Sequence, residues 1–180
     1  TGVAESGATD TFTVVLTAQP ATDVVIDVTS GDTGEGTVDK AELTFTSSNW
    51  NTAQTVTVTG VNDDMDDGNI TAAITLAVDD GNSHDSYDNV ANVTVSFTNT
   101  DNDTAGITIV QSDGSTVVEE STSSTDTFTV VLDSQPVSGN VFVQVTSSDT
   151  TEATITTTNG LGSVQFTQAN WDTPQTVTVT

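Results

Sequence analysis

The chain has 180 residues, one basic residue, 26 acidic residues and a net charge of −25. Binding to nucleic acid or to an anionic membrane surface needs Lys and Arg, so the composition argues against both partners. There is no Cys for disulfides or thiol chemistry. No apolar run approaches the roughly 20 residues that a membrane-spanning helix needs, so membrane insertion is not expected either.

The sequence repeats itself. The segment DTFTVVL at 10–16 returns at 126–132, and NWNTAQTVTVT at 49–59 returns as NWDTPQTVTVT at 170–180. Self-similarity of this kind indicates an array of one structural module. We therefore divide the chain into a first repeat at 1–103 and a second at 104–180. Arrays of this type are more typical of spacers, adhesins and filaments than of enzymes, and we expect no catalytic activity.

Apolar residues alternate with Thr and other polar residues along both repeats, which is typical of half-buried strands. In the first repeat the pattern predicts strands at 10–17, 23–30, 42–46, 54–61, 70–78 and 91–98. In the second it predicts strands at 105–112, 126–133, 140–147, 163–167 and 175–180. The fold class is therefore all-β, as tandem immunoglobulin-like antiparallel β-sandwiches.

Compared with a complete sandwich, the first repeat is expected to lack its first strand, and the second to stop before its last two. One interpretation is that the chain is a piece of a longer array. The other is that neighbouring molecules supply the missing strands by strand donation.

The acidic residues concentrate in loops that alternate along the chain. In a sandwich with this strand order such loops meet at one end, here called the acidic end. It collects acids from segments 5, 31–41, 62–69 and 100–103, among them Glu35, Asp39, Asp101 and Asp103. We expect this end to face the next repeat.

Several motifs in their order resemble the Calx-β family, the calcium-binding module of sodium–calcium exchangers and of many giant bacterial surface proteins. They are V-x-E at 3–5, DTFTVVL, LTF at 43–45, QTVTVTGVNDDMDDGN at 54–69 and TNTDNDTAGITI at 98–109. The resemblance implies a Calx-β-type sandwich with Ca²⁺ at the acidic end. The ligands that it implies in the first repeat are Glu5, Asp32, Asp63 and Asp64, with Asp66 and Asp67 in the same loop.

In the second repeat the resemblance offers Glu119 or Glu120, together with Asp149, as counterparts. The acids after its fifth strand would lie beyond Thr180, so its site is not expected to be complete. Family members often carry more Glu after the paired acids, whereas Asp66, Asp67 and Asn69 stand here, which leaves the number of ions open.

The chemistry of the residues points the same way. Calcium takes six to eight oxygen ligands, and carboxylates on loops supply them, whereas Mg²⁺ demands a tighter octahedron. Zinc is not favoured by a chain with no Cys and a single His. The alternative is a solvated acidic surface whose only counter-ion is bulk salt.

Other candidates are weaker. Ser83, His84 and Asp85 are neighbours in sequence, an arrangement that rarely forms a catalytic triad. Trp50 and Trp171 occupy matching places in the two repeats, which favours core anchors over sugar-stacking residues. The loop at 79–89 is either solvated or a second ligand loop.

We therefore expect a structural calcium-binding repeat of a large extracellular or cell-surface protein, acting as a calcium-rigidified spacer or adhesin stalk. Its ligands at the joint would include Glu5, Asp101 and Asp103. Its partners would be neighbouring repeats of the same protein. Two alternatives stay open: a subunit of an extracellular filament or sheath completed by strands from other copies, and a carbohydrate-binding module with a glycan or surface ligand.

Overall fold

The computed structural model describes residues 1–120 and 124–180. The chain divides into two compact units. The first unit comprises Thr1–Asp63 with Asp67–Asn102, and the second comprises Asp64–Asp66 with Asp103–Thr180. Regular structure in the described residues is almost entirely β-strand, with two short 3₁₀ turns at Asp80–Asn82 and Asp85–Tyr87. The predicted all-β class is confirmed.

Eight strands build the first unit. They are β1 (Gly2–Ala4), β2 (Thr9–Val14), β3 (Val24–Ser30), β4 (Gly36–Val38), β5 (Glu42–Phe45), β6 (Gln54–Gly60), β7 (Ile70–Val78) and β8 (Val93–Thr100). One sheet has the order β1-β8-β7-β3-β5 and the other has the order β2-β6-β4. All pairings are antiparallel except that of β1 with β8.

The core of this unit lies between the two sheets. Alternate residues of β3, namely Val24, Ile26 and Val28, are buried, and so are Val56 and Val58 on β6 of the opposite sheet. The residues between them face outward because successive side chains of a strand point to opposite faces. The period-two pattern in the sequence thus places the core correctly.

Two strands of the first unit were not predicted. The alternating pattern predicts no strand ahead of residue 10, but Gly2–Ala4 pairs with Thr98–Thr100 of β8. The strand β4 pairs with β6, with Gly36 opposite Gly60. Each has only three residues. An alternating pattern cannot be recognised over so short a stretch, and backbone pairing with a longer neighbour holds both strands in place.

Glycine is required where β1 and β6 approach each other. A Cβ atom on Gly60 would lie 2.2 Å from the carbonyl oxygen of Ala4. The amide of Gly60 donates a hydrogen bond to the carbonyl of Ala8 at 3.0 Å. The absence of a side chain lets the first residues of the chain pass directly over the end of β6, at the acidic end.

The second unit contains β9 (Ile107–Gln111), β10 (Asp126–Leu132), β11 (Val141–Gln144), β12 (Ile155–Thr157), β13 (Ser163–Phe166) and β14 (Gln175–Val179). Their order is β12-β14-β10-β9 in one sheet and β11-β13 in the other. Val130 and Val177 from the first sheet pack with Val164 and Phe166 from the second. This unit too is a two-sheet sandwich.

The described part of the second unit covers its core less completely. Val141, Val143 and Val145 match Val24, Ile26 and Val28 in the repeat, yet they are only half-buried. In the first unit β3 lies between β5 and β7, whereas β11 has β13 as its strand neighbour. The difference in burial follows from this difference in neighbours.

None of the described residues belongs to a helix long and apolar enough to cross a bilayer.

Candidate metal centre

Three carboxylates of the first unit converge where β4 begins and β6 ends. Carboxylate oxygens of Glu35, Asp63 and Asp67 lie within 4.8 Å of one another. Glu35 directly precedes β4, and its carbonyl accepts a hydrogen bond from the amide of Val61 at 3.1 Å. The pairing of β4 with β6 therefore brings Glu35 beside the loop that carries the two aspartates. Glu35 and Asp63 are half-buried, and Asp67 is exposed.

A buried amide orients Glu35. Asn99, near the end of β8, has a side chain only 1% exposed. Its Nδ2 donates to Glu35 Oε2 at 3.2 Å and to the carbonyl of Val61 at 2.9 Å. Asn99 thus ties the glutamate to the end of β6 from the opposite sheet, which limits the rotation of the carboxylate.

A second pair of carboxylates lies at the same end of the unit. Oxygens of Glu5 and Asp101 lie within 4.8 Å of each other, and Glu5 is only 4% exposed. Glu5 Oε2 accepts hydrogen bonds from the backbone amide and the side-chain Nδ2 of Asn102, both at 3.1 Å. Asp101 Oδ2 accepts from the amide of Gly68 at 2.6 Å. The β1–β8 pairing and the turn after Asp67 position these acids.

Asn102 connects the two groups of acids. Its Nδ2 donates both to Glu5 Oε2 and to Asn62 Oδ1, each at 3.1 Å. Asn62 directly precedes Asp63 in the sequence. Acids from segments far apart in the chain therefore lie at one end of the first unit. The strand order predicts that these segments meet there, and the structure brings Glu5, Asp63, Asp67 and Asp101 to that end.

Asp32, another first-repeat ligand implied by the resemblance, is engaged in its own turn. Asp32 Oδ1 accepts from the amide of Gly34 at 3.0 Å, and the residue is exposed. Glu35, three residues later, takes the position nearest the aspartates. The sequence pattern places Glu35 at the acidic end, but Glu35 is not among the ligands that the resemblance implies. Its position follows from strand β4, whose pairing with β6 brings Glu35 beside Asp63 and Asp67. A prediction of β4 would therefore have identified Glu35.

Asp64 and Asp66 lie between Asp63 and Asp67 in the loop, and both belong to the second unit. The carbonyl of Asp64 accepts from the amide of Gln135 at 2.6 Å. Asp66 Oδ2 accepts from the amide of Ala105 at 2.7 Å. Asp103 belongs to the second unit as well. The four aspartates of the loop are thus divided between the two units.

The second-repeat candidates stand apart from any three-acid group found among the described residues. Asp149 Oδ1 accepts from the amide and the hydroxyl of Thr151, at 3.0 and 2.6 Å. These bonds hold the pKa of Asp149 below its ordinary value, because they stabilise the charged form. Glu119 is exposed, and its amide donates to Ser124 Oγ at 2.6 Å. A ligand role for either residue stays a prediction.

The side chains of the other candidate residues make local or core contacts. His84 Nδ1 lies 2.7 Å from Ser86 Oγ, whereas Ser83 Oγ donates to the carbonyl of Val25 at 3.1 Å. The Ser83–His84–Asp85 combination is therefore not assembled. Trp50 and Trp171 are partly buried and pack against the cores of their units.

The arrangement in the first unit suits a hard cation. The donors brought together are carboxylates, with neutral amides around them, and such oxygens on loops are the ligands that Ca²⁺ prefers. Partly buried carboxylates this close repel each other, and a cation between them removes the repulsion.

No protein-family model matches the chain, and no curated protein matches it in sequence. Several solved structures are similar to it at low level, including the three that follow. SSP-19, an MSP-domain-like protein of Caenorhabditis elegans, is 13% identical with a TM-score of 0.41, over 56% of this chain and 92% of that one. CBD12 from CALX1.2 is 16% identical with a TM-score of 0.41, over 99% and 71%.

The third structure is the chaperone–tip adhesin complex of CFA/I fimbriae, at 8% identity and a TM-score of 0.38, over 92% of this chain and 75% of that one. Likenesses of this size do not establish a shared family.

Proposed function

We propose that this chain is a structural calcium-binding part of a large extracellular or cell-surface protein, where it acts as a calcium-rigidified spacer or stalk and not as an enzyme. The observation that carries the proposal is the convergence of Glu35, Asp63 and Asp67, with Glu5 and Asp101 at the same end of the first unit. The repeat and the resemblance to Calx-β modules support it.

Repulsion between the carboxylates gives the physical reason. Two like charges no more than 4.8 Å apart repel by roughly 1 kcal/mol or more at the dielectric constant of water, and by about 3.5 kcal/mol or more at an effective value near 20. Glu35 is held in place by Asn99, and Glu5 is buried, so neither can simply swing into solvent. A bound Ca²⁺ converts this repulsion into attraction, so that the ion and the folded unit stabilise each other.

Isothermal titration of the full chain with Ca²⁺ tests the site. We expect Glu35→Gln and Asp63→Asn each to weaken calcium binding at least tenfold, while the matched control Glu42→Gln, at an exposed position of β5, leaves it unchanged. Asp32→Asn is expected to have the smaller effect, because that carboxylate caps its own turn. Equal affinities for wild type and Glu35→Gln would refute the site.

The spacer role needs a separate measurement. Small-angle X-ray scattering should show a longer and narrower average particle in calcium than in chelator, while far-UV circular dichroism stays constant. Identical scattering in both conditions, with calcium shown to be bound, would retain the metal site and reject the rigidifying role.

A further inference from the structure

We propose that the edge of β2 is an acceptor site for a strand, and that its occupant is β9 of a second copy of this chain. Copies joined in this way form a head-to-tail assembly. The inference is independent of calcium binding, because it rests on the far edge of the first unit and on an exposed strand of the second.

The first observation is an apolar groove in the first unit. A cavity of about 500 Å³ lies between β2 and the neighbouring part of the other sheet, lined among others by Phe12, Val14, Leu16, Leu76, Val93 and Val95. Exposure rises along β8, from 1% at Phe97 to 55% at Val93. Val93 and Phe97 share a face of the strand, so Val93 points toward the interior yet remains uncovered.

The second observation is the difference between the two copies of one strand. Residues 10–16 and 126–132 have the same sequence, DTFTVVL. In the second unit β10 has a neighbour on each side, β14 and β9. In the first unit the equivalent β2 has β6 as its strand neighbour. The place beside β2 that corresponds to β9 is where the groove opens.

The register of β9 on β10 shows what would fit there. Ile109 lies opposite Val130 and Ile107 lies opposite Leu132. The equivalent residues of β2 and its continuation are Val14 and Leu16, both of which line the groove. A strand carrying isoleucine on alternate positions would therefore extend the sheet and place both isoleucines in the groove.

The third observation makes β9 the donor. All five of its residues are exposed, with Ile107 at 49% and Ile109 at 61%. It is held on β10 mainly by the backbone ladder, and the identical sequence of β2 offers the same ladder. The groove adds apolar contacts from Leu76, Val93 and Val95 that β9 lacks in its own unit. Exchange between copies thus keeps the hydrogen bonds and increases burial.

The geometry of the exchange determines the product. The donor strand lies in the second unit and the acceptor edge in the first, so one copy can donate and accept at the same time. Such heterologous contacts form rings or open filaments. This agrees with a filament or sheath subunit whose strands come from its neighbours.

Sedimentation of the full chain over a range of concentrations tests the proposal. We expect the average mass of the wild type to rise with concentration. In the double variant Ile107→Asp, Ile109→Asp we expect the association constant to fall at least tenfold. Val110→Asp is the matched control, since Val110 is 57% exposed and lies on the opposite face of β9. A wild type that stays monomeric, or equal losses in both variants, would overturn the proposal.

Cross-linking gives the register, because the chain has no native Cys. Thr108 lies opposite Val131, which is equivalent to Val15. Mixing Val15→Cys with Thr108→Cys should form a disulfide between copies, because directly paired strand residues lie within disulfide reach. Val15→Cys mixed with Val110→Cys, two residues out of register, should react much more slowly. Equal rates would count against the pairing of β9 with β2.

Discussion

At the scale of single residues, the acids of this chain have different roles that composition alone does not distinguish. Asp32 and Asp149 cap turns of matching sequence, and each accepts hydrogen bonds from residues close to it in the chain. Glu35 and Glu5 are instead oriented by asparagines from β8 and from the segment after it. Glu35 and Glu5 lie within 4.8 Å of other carboxylates in the first unit, and neither Asp32 nor Asp149 belongs to such a group among the described residues.

Asp10 shows how a carboxylate can stabilise the fold without a metal. Its oxygens accept hydrogen bonds from the amides of Gly2 and Thr11, and these hold its pKa below the ordinary 3.8. Because the folded-state pKa is lowered, the stabilisation is present above about pH 4. It is lost as the pH falls through the folded-state value.

We predict that Asp10→Asn removes this acid-dependent part of the stability. Urea unfolding of the wild type and the variant should give a difference in free energy of unfolding that is constant above about pH 5 and shrinks toward pH 2. Asp23→Asn, at an exposed position just ahead of β3, serves as the control. A difference that does not change with pH would contradict the assigned role of the ionised carboxylate.

At the scale of strands, the sequence predicts most of the fold and part of the site. The strands β3, β6, β7 and β10 alternate over seven to nine residues, and their predicted positions agree with the structure within a residue or two. The three-residue strands β1, β4 and β12 escape prediction because long-range pairing, and not local pattern, defines them.

The residues of the candidate site could likewise be predicted where a local pattern marks them, but not where long-range pairing places them. Asp63 and Asp67 could be predicted because the loop between β6 and β7 is densely acidic. Glu35 could not be selected, since its place beside them depends on the pairing of β4 with β6. Asp64 and Asp66 belong to the second unit, where they accept hydrogen bonds from Gln135 and Ala105. These bonds join residues far apart in the sequence, so a local pattern cannot predict them.

We predict that Gly60→Ala destabilises the first unit by roughly 1–3 kcal/mol, the usual effect of forcing an extra carbon into a packed site. The new methyl group would lie 2.2 Å from the carbonyl oxygen of Ala4, so β1 must shift. Gly2→Ala is the control, because a Cβ there meets no atom within 4 Å. Equal midpoints for the two variants in chemical denaturation would mean that the close approach of β1 to β6 contributes nothing.

At the scale of the whole molecule, the two repeats of one sequence differ in how well they bury their cores. Val24, Ile26 and Val28 are at most 8% exposed, whereas their counterparts Val141, Val143 and Val145 are half-buried. Full burial of one such side chain contributes about 1.5–3 kcal/mol. The second unit should therefore be the less stable one.

We predict separate unfolding transitions, read by the two tryptophans. Trp171→Phe leaves Trp50 as a reporter of the first unit, and Trp50→Phe leaves Trp171 as a reporter of the second. The Trp171 signal should change at lower urea than the Trp50 signal. Coincident transitions would show instead that the two units unfold together.

The last prediction separates specific calcium binding from general screening of a net charge of −25. The Debye length falls from about 30 Å at 0.01 M salt to about 3 Å at 1 M, so NaCl should raise the melting temperature gradually by weakening repulsion. Calcium at 5 mM should raise the free energy of unfolding by roughly 1–2.3 kcal/mol for a dissociation constant of about 10⁻³–10⁻⁴ M. This increase should persist in 0.5 M NaCl. In Glu35→Gln the calcium-dependent gain in stability should disappear, while the rise in melting temperature with NaCl should remain. If equimolar Mg²⁺ gives the same increment as Ca²⁺, or if 0.5 M NaCl abolishes it, the acids act only as solvated surface charge.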